Sequence, residues 1–324
     1  MLQLLNEWLW DFWFAQDGKN THVFYLKADR ALKNPELRHW NVSIGHAVSQ
    51  DLREWRVLPD ALHPSAADSG AFDNYTTWTG SVIQHNGLWY MFYTGSMREE
   101  KGLVQRIGLA TSPDLIHWEK HPNNPLIVYD PRWYEALDLS AWHDHAWRDP
   151  FVFYSPQDSH FHAFITARVK DGTADARGVI ADARSRDLVT WEVCAPVSTP
   201  GEFGHMEVPQ ALTINGQHYL FFSVGAKQYS HARRARLQPE QLVIGTHYLI
   251  GETPLGPYHS PSEDVLWGDS HASLYSGKLV QDAAGQWQFL AFRCNAPDGT
   301  FIGELSDPMP VTVLVNGRLH VEAG

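Results

Sequence analysis

Five strand-opening residues recur along this chain at a near-constant interval. His22, Trp89, Phe161, His218 and Trp287 each begin an apolar run after a turn signal such as Asn86-Gly87, Asn215-Gly216 or Ala284-Gly285, and successive landmarks lie 57 to 72 residues apart. A second landmark keeps the same period. Ile44–Trp55 (IGHAVSQDLREW), Ile107–Trp118 (IGLATSPDLIHW) and Val179–Trp191 (VIADARSRDLVTW) each run from a strand into a Ser/Asp turn with an aromatic anchor, and Tyr248–Tyr258 and Phe301–Pro310 are weaker copies. A β-rich unit repeated at this period predicts an all-β chain folded as a five-bladed β-propeller, with five four-stranded blades around a channel and almost no helix. The Val311–Val321 tail alternates around Asn316-Gly317 and is expected to finish the last blade as a hairpin. No linker interrupts residues 1–324, so they are expected to form one catalytic domain, with nothing left for an appended β-sandwich.

Counting back from the landmarks gives the functional clue. Asp11, Trp78, Asp149 and Glu207 lie 11 or 12 residues before His22, Trp89, Phe161 and His218. Three blades therefore carry a carboxylate at one repeat position, at the mouth of the innermost strand, where equivalent positions converge on the channel. Taken singly, an Asp at a strand end is usually a turn residue or cap, and Arg-Asp-Pro is a weak motif. The shared repeat position is what shifts the odds. Cleavage of a glycosidic bond needs two carboxyl groups flanking it, and a third can grip ring hydroxyls and hold neighbouring pKa values apart. The longer Glu207 suits the proton donor, and a hydrophobic strand context is expected to raise its pKa.

The net charge of −12 argues against nucleic acid or an anionic membrane as partner and leaves an uncharged small carbohydrate open. Cys194 and Cys294 read as two buried thiols rather than a bridge. No apolar run has membrane-spanning length, and MLQLLNEWLWDFWF lacks the basic and small-residue marks of a cleaved leader, which predicts a cytoplasmic protein. Of the fourteen tryptophans, Trp55, Trp118 and Trp191 are repeat anchors, Trp89 and Trp287 open core strands, and Trp10, Trp13, Trp78 and Trp147 lie beside the channel positions. An insertion, Tyr129–Ala146, carries Trp133, Trp142, His143, Asp144 and His145 and is expected to wall the pocket as a lid, with a metal at its His-Asp-His triplet much the weaker reading. The irregular loop Ser65–Thr77 is a second candidate for the rim. Neither a metal nor a cofactor is expected, and the sequence is silent on oligomeric state.

Four motifs then carry a family resemblance. WLWDFW around Asp11, WTGS at Trp78–Ser81, WRDP at Trp147–Pro150 and MEVPQ at Met206–Gln210 occur in the order found in glycoside hydrolase families 32 and 68, which the chain resembles over nearly its whole length. Those families, the invertases, fructanases and levansucrases, are five-bladed propellers acting on β-fructofuranosides with retention. The resemblance implies Asp11 as nucleophile, Asp149 as the transition-state stabiliser gripping sugar hydroxyls, and Glu207 as the general acid/base. Thr79 would hydrogen-bond the nucleophile, and Arg148 would orient the site through its planar fork. The candidate substrate contacts are Trp10, Trp13, Trp78, Thr79, Arg148, His205, Gln210 and His271. Two motifs depart from their counterparts: Val208 stands where levansucrases have Arg, and Val208 and Gln210 replace the Cys and Asp of the invertase ECPD motif. The expected activity is hydrolysis of small fructosides, or transfer of fructosyl groups between them. An inverting family 43-like arabinofuranosidase or xylosidase, a propeller phosphorylase and a non-catalytic sugar-binding propeller are the alternatives, and no Arg, Lys and His cluster beside Asp11 or Glu207 favours the phosphorylase.

Overall fold

The computed structural model describes residues 1–261 and 264–322. They form five antiparallel sheets, each one blade of a ring. The innermost strands are Glu7–Gln16, Thr76–His85, Arg148–Ser155, Glu207–Ile214 and Leu274–Gln281. Each packs against the next, and the fifth touches the first. Among the described residues the one α-helix is the four-residue His231–Arg234, accompanied by short 3-10 turns.

The landmark runs are second strands. Val23–Tyr25, Met91–Tyr93, Ala163–Ile165, Tyr219–Phe222 and Phe289–Phe292 are at most 3% exposed. A middle strand faces neighbouring blades on both sides, so its sequence is a continuous apolar run instead of an alternating one. The second landmark is one turn made three times. Ser49, Ser112 and Ser185 donate to Asp51, Asp114 and Asp187, whose Oδ1 atoms accept the backbone N–H groups two and three residues on. The intervening Leu52, Leu115 and Leu188 take φ of 62°, 66° and 65°, and Trp55, Trp118 and Trp191 donate Nε1–H back to those leucine carbonyls.

Two blades exceed four strands. In the fourth, Val265–Asp269 adds to Ile244–Gly251. In the fifth, Phe301–Leu305 and Met309–Val313 both pair with Trp287–Asn295, and Leu319–Val321 completes the expected hairpin on Met309–Val313. The ring is closed by the segment before the first blade: Leu2 exchanges backbone hydrogen bonds with Leu305 at 3.3 and 3.0 Å. Cys194 and Cys294 are free thiols, half-buried rather than fully buried because both sit near strand ends.

Candidate active site

Every innermost strand breaks register at the same height. The slips fall between Trp10 and Phe12, between Trp78 and Gly80, after Arg148 opposite Thr166, between Glu207 and Gln210, and between Tyr275 and Lys278. A β-bulge inserts an unpaired residue, bends the strand and re-aims side chains, which is how bulges come to lie beside active sites. Asp11, Asp149, Val208 and Ser276 sit in these bulges with φ of 21°, 58°, 49° and 52°. A left-handed conformation is uncommon for these residue types and an outlier for a β-branched valine, so the fold holds strain at this ring.

The register corrects the equivalence read from spacing. Asp11, Thr79, Asp149, Val208 and Ser276 share one row, whereas Glu207 belongs one residue earlier, with Trp10, Trp78, Arg148 and Tyr275. The offset sets the hydrogen-bond partners. Glu207 lies level with its row neighbours: Arg148 Nη2 donates to Oε1 at 2.9 Å, and the Tyr275 hydroxyl donates to Oε2 at 2.7 Å. Asp11 is held in the other row, by the hydroxyls of Thr79 on Oδ2, at 3.2 Å, and Ser276 on Oδ1. Asp149 Oδ2 accepts the strained Val208 N–H at 3.0 Å and lies 3.1 Å from the Thr166 hydroxyl.

Asp11, Asp149 and Glu207 open on one pocket of about 420 Å³, within the usual range for small-molecule sites. Trp10, Trp78, Thr79 and Arg148 line it as expected. The insertion 129–146 supplies one wall through His143 and Asp144. Behind that wall Trp142 stacks under the Arg168 guanidinium at 3.9 Å, and Arg168 also pairs with Glu135 and donates to Gly204 O, tying the insertion to the approach to Glu207. Trp133 is instead 40% exposed and away from the pocket. The opposite wall went unrecognised in the sequence: the 3-10 turn Pro35–Trp40 brings Glu36, His39 and Trp40, with Trp78 Nε1 donating to His39 O at 2.9 Å. No residue of the loop 65–77 lines the pocket, because Phe72 and Asp73 are buried in the second blade, where Asp73 accepts from Tyr93 and Lys120.

Four candidate contacts are corrected. Trp13 is 4% exposed and stacks on Phe24 in the core. Gln210 bridges two blades, its amide exchanging hydrogen bonds with the Leu279 backbone. His205 lies behind Arg148, accepting at Nδ1 from Nη2 at 3.2 Å, and does not line the pocket. His271 is exposed on a turn whose N–H is spent on Asp269. Trp147 is likewise core, packed on Tyr134 with Nε1 donating to Ile127 O. Ser276, Tyr275 and Lys278 were missed, although counting back 11 residues from Trp287 reaches Ser276. Lys278, 5% exposed, donates Nζ–H to Val208 O at 2.6 Å and Pro209 O at 3.0 Å beneath the carboxylates.

The environment pulls the three carboxyls apart. Burial raises Asp11, against the hydroxyl of Ser276. Burial also raises Asp149, to about 7, despite Arg148. Burial pushes Glu207 upward too, but His205, Arg148 and Tyr275 outweigh it and bring the carboxyl down to about 2. His205 is itself brought down to about 4 by burial, so at neutral pH the charge holding Glu207 ionised is that of Arg148. The expectation of a raised Glu207 is therefore overturned, because the residues around it are polar. Lys278 is lowered to about 8 by burial, against the attraction of Asp149 and Asp11. Among the described residues, no group of three or more His, Cys, Asp or Glu is placed to hold a metal ion.

The model of the glycosyl hydrolases family 32 N-terminal domain matches residues 14–299. An insoluble-isoenzyme beta-fructofuranosidase of rice (Oryza sativa subsp. indica) is 32% identical over 201 residues, 60% of this chain and 30% of that relative. The chain thus spans about a third of the length of such relatives. Among solved structures, an inulosucrase from Halalkalicoccus jeotgali bound to kestose superposes with a TM-score of 0.78 at 20% identity, covering 99% of this chain and 90% of that one. A sucrose-6-phosphate hydrolase from Lactobacillus gasseri gives 0.75 at 20% identity, over 99% and 62%. At these identities the two structures speak for the five-bladed fold alone.

Proposed function

The chain belongs to glycosyl hydrolase family 32, and from that premise we propose that it is a retaining β-fructofuranosidase acting on small fructosides, with fructosyl transfer as a side reaction. The observation that carries the reading is the convergence of Asp11, Asp149 and Glu207 on one pocket with a distinct donor set on each.

In this mechanism an Asp11 oxygen attacks the anomeric carbon while the bond to the leaving oxygen breaks, and Glu207 transfers its proton to that oxygen. The Thr79 and Ser276 hydroxyls hold Asp11 in line and favour its charged form. Water then enters, Glu207 takes its proton, and the hydroxide oxygen displaces Asp11 from the fructosyl carbon. Two displacements restore the starting configuration. Asp149 accepts ring hydroxyls, and these contacts tighten as positive charge develops on the sugar.

The reaction needs one proton on the carboxyl cluster, and before substrate binds burial favours it on the Asp149 and Asp11 side. Sugar hydroxyls donating to Asp149 favour its ionised form, which releases that proton to Glu207.

The test is stereochemical. Following the anomer first released from sucrose by NMR should give β-fructofuranose, and Asp11→Ala should abolish turnover on sucrose and on activated aryl fructosides alike. An inverted first product would make Asp11 a base activating water, and the mechanism above would be wrong.

A further inference from the structure

The charge of the pocket narrows the substrate class, an inference that rests on the fructosidase reading and deepens it. Five carboxyl groups line the pocket, those of Asp11, Glu36, Asp144, Asp149 and Glu207, against a single guanidinium, that of Arg148. That guanidinium is fully committed. Nη1 donates to Gln105 Oε1 at 3.1 Å and Asp144 Oδ2 at 3.0 Å, Nη2 donates to Glu207 and His205, and Nε lies 3.7 Å from Asp149 Oδ2. Lys278 has its ammonium on two carbonyls beneath the floor and is not part of the wall. The His39 ring is kept neutral at pH 7, since burial and then Arg38 bring it down to about 4. His143 stands 3.6 Å from Asp144 Oδ1, so any charge on it is already opposed.

A phosphate group in this pocket would find no uncommitted cation. Its charge would also face the carboxylates of the wall. Asp144 makes the point at atomic scale: Oδ2 accepts from Gln105 Nε2 at 2.8 Å and from Arg148, while Oδ1 is buried with no hydrogen-bond donor. Asp144 thus lines the pocket as a carboxylate, which a neutral sugar meets without repulsion and an ionised phosphate does not. We propose that this pocket selects uncharged fructosides and excludes phosphorylated ones, with Asp144 the specificity-determining residue and Glu36 adding to the same field at the rim. A neighbour in fold is named for sucrose-6-phosphate. The propeller therefore does not dictate this choice, and the charges on its rim do.

The experiment compares kcat/KM for sucrose and sucrose 6-phosphate, by released fructose, in the unaltered protein and in Asp144→Asn and Glu36→Gln. The neutral substrate should be favoured by about 100-fold or more at low salt, and the gap should shrink as sodium chloride screens the field. Asp144→Asn should cut the preference by about tenfold or more, with part of the change in the KM for sucrose, and Glu36→Gln should cut it by about twofold. The second variant leaves the Arg148 network in place should the first disturb it. A kcat/KM for sucrose 6-phosphate equal to or above that for sucrose overturns the proposal, as does a preference that neither variant moves. Calorimetry on Asp11→Ala separates selection from turnover, since sucrose should bind and sucrose 6-phosphate should not. If the unaltered protein releases fructose from neither compound, the fructosidase reading fails, and the calorimetric arm still decides selection: equal binding of the two, or binding of neither, sinks it.

Discussion

The two donors on Glu207, the Arg148 guanidinium and the Tyr275 hydroxyl, hold a carboxylate where the proposed reaction needs an acid. The conflict resolves if the proton is a property of the cluster rather than of one residue. Activity is then expected to fall as pH rises through about 7, where Asp149 and its neighbours lose that proton in the free protein. Lys278 faces Asp149 and Asp11 as a cation and so favours proton loss. Replacing it by Met removes that attraction, so in Lys278→Met the alkaline limb of the kcat/KM profile should move to higher pH. A limb that stays in place would mean Lys278 only props up the bulge. Glu207→Ala should cost about 10²- to 10⁴-fold in kcat on sucrose and far less on an aryl fructoside whose leaving group departs without a proton. A variant equally poor on both would not have lost an acid. Asp11, Asp149 and Glu207 were legible in the sequence because motif and spacing coincide on them, and Arg148 and Thr79 through the motifs alone. Ser276 and Tyr275 escaped because a search for carboxylates passes over hydroxyls. The depressed pKa of Glu207 was illegible because Arg148 and Tyr275 come from other blades.

An innermost strand works here as a device for turning one residue out of register, and the neighbouring backbone must leave room for it. Gly80 shows how little room there is. It follows the Thr79 bulge, and a Cβ there would stand 2.0 Å from the Phe92 carbonyl oxygen, a backbone atom that cannot swing aside. Gly80→Ala should therefore push the first two strands of the second blade apart, at a cost of about 2–4 kcal/mol in urea unfolding. Its kcat should also fall, because the Thr79 hydroxyl moves off Asp11. Loss of stability with kcat intact would separate the bulge from the chemistry. At this scale the sequence was informative wherever the repeat applied: the three Ser/Asp turns and the five apolar middle strands were all expected. It was less so where one element depends on another. The insertion 129–146 does wall the pocket, but through His143 and Asp144, braced by Arg168, rather than through Trp133. The turn Pro35–Trp40 carries no strand pattern, so nothing marked it as the facing wall.

A ring of blades places its chemistry on its own seam. Asp11 belongs to the first blade, while Ser276 and Tyr275, which hold Asp11 and Glu207, belong to the fifth. That seam is closed by Leu2, 3% exposed and paired with Leu305, by Arg30 donating to Ile302 O at 2.9 Å, and by Arg38 over the Phe301 ring at 4.2 Å. In a repeat array each unit is stabilised mainly by its neighbours, so the seam can open without unfolding the blades on either side. Leu2→Asp puts a charge where a leucine is buried and should cost about 3–5 kcal/mol, most of it local to the seam. Opening there separates Ser276 from Asp11, and Asp11 from Glu207, which stays with Tyr275 on the far side, while the strand content barely changes. In the unaltered protein, fructose release and far-ultraviolet circular dichroism should be lost together with rising urea. In Leu2→Asp, activity should be lost at clearly lower urea than the strand signal. If the two curves still coincide, closure and the remainder of the ring form one cooperative unit, and the seam is no weaker than the blades it joins.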